Sequence, residues 1–398
     1  MPTKNPKLKS SKAPKLFKYY AGFAVDFVES AVHKTLSDME ICNKIVVLDP
    51  WNGSGTTTNT CSKLGIPSIG IDRNPVMAVV AKAREARNRN FEYLNLLCEE
   101  LATPPAKDDP LLAWIAPSGV AILRSIEKKI RNLSTEQDRS LGYVLLFNLT
   151  KNLLKKYVSS NPTWIKKPET RSRIRPTKQS IKLELENCIK RAQSDENLHS
   201  QATSTIITAD SRFLPLKDNV VDLIITSPPY CTRIDYAIAT SIELAVLSCS
   251  EAEFLSLRNE LIGSTLVENG ISQTNEWGSL CCETLNKIRA HPSKASNGYY
   301  IKSFLRYFDS LYKSIIEISR VTKNGGICYI VVQDSYYKEI FIDLAAITTD
   351  MFITNKWSLV EQNDFIATRN KAAINTKSNK YQSNKIATES VLTLRRES

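Results

Sequence analysis

Histidine is nearly absent from this 398-residue chain: there are three, His33, His199 and His291, and none stands beside a pair of cysteines as a zinc site would require. The nine cysteines include no CxxC pair and are odd in number, so a disulfide framework is not expected; Cys281 and Cys282, ahead of His291, read as structural thiols, and no metal is expected. No apolar run approaches the roughly 18 residues of a membrane helix, and the lysine-rich N-terminus has no apolar signal core behind it, which leads us to expect a soluble cytoplasmic protein. What is present is 42% hydrophobic and 24% charged residues, enough to bury a substantial core and to exclude disorder. The length allows two to three units or one elaborated domain.

Acids are missing from two segments. Residues 1–18 carry six lysines and no acid, and residues 151–180 carry nine Lys and Arg against Glu169 alone, so the net charge of +12 is concentrated there and the rest is near neutral. Clustered cations on a neutral body suit a polyanionic partner, because they release counterions condensed on a phosphate backbone. In the second segment Lys155, Lys156, Lys166, Lys167, Arg171, Arg173 and Arg175 are interleaved with Trp164 and with prolines, a pattern suited to gripping phosphates. A third basic stretch, from Arg369 to Lys385, reads as a loop between two strands.

The run IVVLD (45–49) reads as a strand, PWNGSGTT as a glycine turn, and the following residues as a helix that stops at Gly65. SIGID (68–72) is a second strand followed by a helix, and two β-α units in succession predict a parallel, doubly wound sheet. Residues 91–203 change to amphipathic helices. The strand pattern resumes with STIITAD (204–210) and VVDLIITSPPY (220–230). A long amphipathic helix then begins at YYIK and is expected to stop at Asn324-Gly325-Gly326. After it come the strand GGICYIVVQDS, a helix in FIDLAAITTDMFITNKW and a closing strand pair, an order that fits a mixed seven-stranded sheet.

Gly53 and Gly55 follow the first strand directly, where a missing side chain lets a ligand reach the backbone. Asp72 ends the second strand 23 residues after Asp49, near the offset at which an acid accepts bonds from ribose hydroxyls. Phosphate cradles are excluded: there is no lysine at the end of the loop, and Thr58 breaks GxGxxG. Asp49 beside the turn would repel a pyrophosphate and suits the ammonium and sulfonium of S-adenosylmethionine.

Ser227-Pro228-Pro229-Tyr230 follows the strand DLIIT, at the carboxyl end where open α/β sheets bind their ligands. Two prolines remove two donors and leave a rigid array of acceptors. An exocyclic base amine is a poor nucleophile until acceptors such as the Ser227 oxygen and the Pro228 carbonyl draw its hydrogens and let it pyramidalise, with Tyr230 stacked on a base flipped from the duplex. Methylation at cytosine carbon 5 needs a nucleophilic cysteine after proline, and no Pro-Cys pair occurs. Cys231 reads as a packing residue.

These residues resemble the S-adenosylmethionine-dependent DNA amino-methyltransferases, which methylate cytosine N4 or adenine N6: DPWNGSGTT is similar to their cofactor motif and TSPPY to their catalytic motif. The resemblance implies an α/β, Rossmann-like class I methyltransferase fold with a helical insertion, S-adenosylmethionine as cofactor and DNA as partner. It implies a cofactor site of Asp49, Pro50, Gly53, Ser54, Gly55, Thr56, Thr57 and Asp72, with Asp210 near the adenine. FKYYAGFAVDFV (17–28), with Tyr20 and Phe23, would be a helical segment over the methionine end. Serine at 227, where many adenine-specific relatives carry Asp or Asn, leans toward cytosine N4.

The chain is thus expected to divide into a basic tail (1–16), the first part of the catalytic domain with the cofactor loop (17–90), a basic helical insertion as a candidate DNA contact (91–203), the part with the catalytic turn (204–250), a candidate target-recognition insertion (251–300) and a closing part (301–398). Two alternatives stay open: an RNA base methyltransferase of the guanine N2 kind, and a non-catalytic protein that binds S-adenosylmethionine or DNA. A restriction or defence partner also stays open.

Overall fold

The computed structural model describes residues 16–17, 22–38, 45–86, 91, 104–159, 165–194, 204–231, 234–264, 266–267, 270–366 and 388–398. Seven strands form one sheet: β1 (Val47–Asp49), β2 (Ser68–Asp72), β3 (Ser204–Thr208), β4 (Val221–Thr226), β5 (Thr322–Gln333), β8 (Trp357–Ile366) and β9 (Thr388–Arg396). Their order is β3-β2-β1-β4-β5-β9-β8, and β6 (Ser335–Tyr337) pairs with β7 (Ile340–Ile342) in a separate hairpin that the sequence did not announce. The pairs from β3 to β5 are parallel, and β9 runs antiparallel to both of its neighbours. This is the mixed, seven-stranded Rossmann-like sheet expected of a class I methyltransferase.

Strand periodicity sorts the core. Leu223 and Ile225 of β4 point to the face covered by α1 (Val25–Asp38) and α2 (Thr56–Lys63), while Ile224 points to the face covered by α10 (Ser279–Ala290), α11 (Ile301–Val321) and α12 (Leu344–Ile353). The alternation fixes register, since a slip of one residue would exchange the two faces. A third cluster joins α3 (Pro75–Arg84) to the helices of the insertion, α4 (Pro117–Arg131), α5 (Glu136–Leu153) and α6 (Lys178–Gln193), and to α8 (Ser241–Val246). Val76, Met77 and Val80 pack there with Leu141, Leu145 and Ile242, so the insertion shares its core with the body. The short α7 (Tyr236–Ala239) and α9 (Glu251–Glu260) complete the α-helices among the described residues.

Two expected boundaries move. The helix of residues 17–28 starts only at Val25, and Gly22–Ala24 are non-helical. The long helix ends at Val321, before Asn324-Gly325-Gly326, which lies within an irregular start of β5: Val221 pairs with Thr322, and Leu223 next with Ile327. Gly325 takes a φ of 78°, and a Cβ on Gly326 would lie 2.5 Å from the Thr322 methyl, so these glycines shape a bulge rather than stop a helix. Among the described residues no helix is long and apolar enough to cross a membrane.

Candidate active site

The strand order reverses at β1, whose two neighbours are β2 and β4, and the crevice outside the carboxyl ends of such strands is where open α/β sheets hold ligands. The glycine turn leaves β1 and the Ser227–Tyr230 turn leaves β4, so both open on that crevice. An open cleft of about 960 Å³ is lined there by Asp49–Ser54, Thr56, Asp72, Asp210 and Ser227–Tyr230, with Phe23 on its wall.

Asp49 is 2% exposed, and its carboxylate ties the two turns together. One oxygen accepts from the Thr226 hydroxyl of β4 at 2.6 Å and from the Trp51 amide at 3.1 Å, and the other accepts from the Thr57 hydroxyl at 2.7 Å. Asp72 is used similarly: it accepts from the Gly53 amide at 2.9 Å and from the Asn74 amide at 2.8 Å. Burial pushes both carboxyls up to about 6; for Asp49 the three hydrogen bonds oppose that shift and the Asp72 charge adds to it. Both acids therefore organise the loop with the same oxygens that were expected to meet a ligand.

Several expected cofactor residues are redistributed. Thr57 is fully buried, holds Asp49 and stands behind the cleft wall. Gly55 also stands behind it: at φ 80° a Cβ would lie 2.8 Å from the Ala81 methyl of α3, so this glycine permits the helix to approach the loop. Asp210 lines the cleft with its carboxylate gripped by Arg212, whose Nη2 donates at 2.6 Å. Phe23 packs edge-on to Phe27 with centroids 5.5 Å apart. Tyr20 and Trp164 lie outside the described residues.

The Ser227–Tyr230 turn is held at three points. The Ser227 hydroxyl donates to the Val331 carbonyl of β5 at 2.8 Å, the Tyr307 hydroxyl of α11 donates to the Pro229 carbonyl at 3.0 Å, and the Tyr230 amide donates to the Tyr236 hydroxyl at 3.1 Å. One carbonyl of the expected acceptor array is therefore already taken. Among the described residues none donates to the Pro228 carbonyl. Cys231 is 1% exposed and lies in the core.

Other contributors were invisible in the sequence. Arg84, 6% exposed, donates through Nη1 to the Ser54 carbonyl at 2.7 Å and the Ser54 hydroxyl at 2.8 Å, and through Nη2 to the Phe17 carbonyl at 3.1 Å. Glu260, Leu261 and Ile262 complete the cleft wall, and Glu260 is paired with Arg73, the residue after Asp72. The start of the candidate target-recognition segment thus belongs to the cleft itself.

Of the basic segment, Lys155, Lys156, Lys166, Lys167, Arg171 and Arg175 are exposed and Arg173 is half-buried. The strip is stitched to the insertion: Trp114 donates from its indole to the Lys166 carbonyl at 3.0 Å, Ile115 bridges to Ile174, and the Tyr157 hydroxyl donates to the Ser172 carbonyl at 2.5 Å.

Residues 221–393 match the family model described as DNA methylase, of the N6 and N4 type. Over that stretch the chain is similar to the DNA amino-methyltransferases. It is 24% identical over 400 residues to the Type II methyltransferase M.AvaI of Nostoc sp., covering 86% of this chain and 78% of that relative. It is 25% identical over 295 residues to the Type II methyltransferase M.BsoBI of Geobacillus stearothermophilus, covering 63% of this chain and 56% of that relative. Among solved structures, the rRNA methyltransferase AviRa of Streptomyces viridochromogenes superimposes with a TM-score of only 0.32 at 10% identity, over 96% of this chain and 90% of that one.

The cofactor of this methyltransferase family is S-adenosylmethionine, and the residues present fit it. The acids on the cleft, buried Asp49 and half-buried Asp72, are held where a cation would relieve their desolvation. Two buried donors in residues of the cleft wall, the Trp51 indole N–H and the Asn52 side-chain amide N–H, have no partner among the described residues.

Proposed function

We propose that this chain transfers a methyl group from S-adenosylmethionine to an exocyclic amine of a base in DNA, at cytosine N4 in preference to adenine N6. The observation that supports this reading is that the Ser227–Tyr230 turn and the acid-flanked glycine turn line one cleft, joined by the Asp49 carboxylate. When bound, S-adenosylmethionine supplies a methyl group activated on a cationic sulfur.

The chain's part is to make the amine nucleophilic. Ser227 has spent its hydroxyl proton on Val331, so toward the cleft its oxygen offers only lone pairs. That oxygen and the Pro228 carbonyl are two acceptors set on a rigid turn, and drawing the two amine hydrogens toward them concentrates the nitrogen lone pair. The anchors from Tyr307 and Tyr236 hold the turn still, so little reorganisation is needed in the transition state. Tyr230 lines the cleft as the stacking surface for the extruded base. Asp49, Pro50, Gly53, Ser54, Thr56, Asp72 and Asp210 would hold the cofactor from the β1 and β2 side, and the strip from Lys155 to Arg175 would grip phosphates. Serine at 227 carries the preference for cytosine N4.

The test is to express the chain in cells free of base methylation and to sequence the modified bases. N4-methylcytosine at a fixed sequence is the expected result, and N6-methyladenine would overturn the base preference alone. Purified protein that methylates only RNA oligonucleotides would overturn the substrate class. Protein that binds cofactor and modifies no DNA would establish the non-catalytic reading.

A further inference from the structure

Helix α9 is capped by Leu261 rather than by a glycine, and its last carbonyls are taken up by arginines from other elements. Arg306 of α11 donates to the Asn259 carbonyl and, through Nη1, to the Leu266 carbonyl at 2.9 Å, and Nη2 of Arg212 donates to the Glu260 carbonyl at 3.0 Å. Carbonyls at a helix C-terminus have no partner within the helix, so cations that meet them fix where the chain goes next. The last turn of α9 and residues 261–264 together form a strap beside the cleft. Glu260, Leu261 and Ile262 line the cleft, and Gly263 and Ser264 are buried.

The two ends of the strap close on Tyr230 by different routes. Gly263 holds a φ of 81°, and a Cβ on it would lie 3.0 Å from the Tyr230 carbonyl oxygen, 3.6 Å from Cβ of Pro229 and 3.7 Å from the Tyr236 ring, so a residue without a side chain is needed there. At the other end Arg258 donates through Nε to Oδ2 of Asp235 at 2.6 Å. Asp235 is 3% exposed, and its Oδ1 accepts from the Ile238 amide at 3.1 Å, which caps α7. The first residue of α7 is Tyr236, whose hydroxyl accepts from the Tyr230 amide at 3.1 Å. The middle of the strap is tied to the β2 and β3 side of the cleft: Glu260 pairs with Arg73, the residue after Asp72, and Arg212, which meets the Glu260 carbonyl, also holds the Asp210 carboxylate. One segment is thus fixed both to the neighbours of the acids expected at the cofactor and to the tyrosine expected at the base.

We propose that this strap, residues 258–264, sets where Tyr230 stands relative to the cofactor, with Arg258 and Gly263 as its positioning residues. The proposal rests on the reading of the chain as a DNA amino-methyltransferase with Tyr230 stacked on the extruded base. Methyl transfer needs the amine nitrogen, the methyl carbon and the sulfur in line and nearly in contact, and a base stacked on Tyr230 carries its amine wherever the ring goes. A misplacement of about 1 Å costs roughly a hundredfold in rate, so the strap acts on turnover and not on cofactor affinity.

Single-turnover methylation of duplex DNA, with S-adenosylmethionine affinity measured by calorimetry, tests it. Gly263→Ala drives a methyl group against the Tyr230 carbonyl and should lower kcat by about tenfold to a hundredfold with cofactor affinity unchanged. Arg258→Met should act in the same direction, and Arg258→Lys should restore most of the rate. In a Tyr230→Ala background neither Gly263→Ala nor Arg258→Met should lower kcat further, because the ring through which they act is gone. Tyr236→Phe removes only the acceptor of the Tyr230 amide and should also lower kcat, which keeps the test decisive should the other two variants fail to fold. Folded variants with unaltered kcat, or losses that add in full to that of Tyr230→Ala, would overturn the role of the strap. Unaltered protein that methylates no DNA would overturn the underlying reading, and this proposal with it.

Discussion

Buried Asp49 and half-buried Asp72 should make cofactor binding pH-dependent in a direction opposite to their effect on the free protein. Asp49, raised from 3.8 to about 6, carries about 3 kcal/mol of disfavoured ionisation in the folded state. Because its folded value lies above its unfolded one, its contribution to stability is fully present below pH 4 and is lost as pH rises through about 6. A cationic cofactor needs the ionised form. With a value of about 6, roughly one carboxylate in eleven is ionised at pH 5 and ten in eleven at pH 7, so affinity should rise about tenfold over that interval for each acid that acts through its charge. If both act, the product of the two factors, about a hundredfold, is the upper bound, since the Asp72 charge disfavours ionisation of Asp49. Titration calorimetry with S-adenosylmethionine from pH 5 to 7, repeated in buffers of different ionisation heat, measures both the affinity and the protons released on binding. Asp49→Asn should remove one of the two steps and stabilise the free protein at pH 7 relative to wild type. An affinity that is flat across the interval, with no proton release near pH 6, would refute a role for these acids that depends on charge.

Ser227→Ala should lower kcat by roughly a hundredfold with cofactor affinity unchanged, because the acceptor it removes matters when the amine pyramidalises; calorimetry and single-turnover kinetics separate the two. Tyr307→Phe should cost about 1–3 kcal/mol in denaturant unfolding by stripping the Pro229 carbonyl of its donor, and should lower kcat more than it raises KM for DNA. Replacing Arg171, Arg173 and Arg175 together by alanine should weaken binding to all DNA sequences alike and flatten the plot of log affinity against log salt by about one unit for each phosphate no longer gripped. A full salt slope combined with a shifted sequence preference would instead make this strip the base reader.

The parts of the molecule legible in the sequence are those set by local pattern. IVVLD, SIGID and DLIIT are short β-branched runs with an acid or a turn at the end, and a buried parallel strand needs little else, so the sheet, its glycine turn and the Ser227–Tyr230 turn could all be placed. What could not be read are side chains whose partners are remote. Tyr307 looks like one more aromatic on the apolar face of a long helix, and its acceptor lies 78 residues earlier. Arg84 ends a helix as any surface arginine would, yet it is buried against a loop 30 residues back and a segment 67 residues back. The helix expected over residues 17–28 begins later, at Val25, for a related reason: Phe23 packs on Phe27 and lines the cleft, a tertiary contact that does not require Gly22–Ala24 to be helical.

The bond from Thr226 to Asp49 spans 177 residues of chain and a single neighbour relation in the sheet. The entropy of closing a loop grows only with the logarithm of its length, so the stretch between the two turns can gain or lose a hundred residues at small thermodynamic expense while β1 and β4 stay adjacent. The helices between α3 and β3 illustrate this, since they extend the chain without disturbing the pairing of β1 with β2 or of β2 with β3. The geometry requires adjacency of β1 and β4 rather than closeness in sequence. The two turns behave as modules of a surface, free to be supplied from distant stretches of chain so long as one carboxylate and one hydroxyl still meet at the crevice.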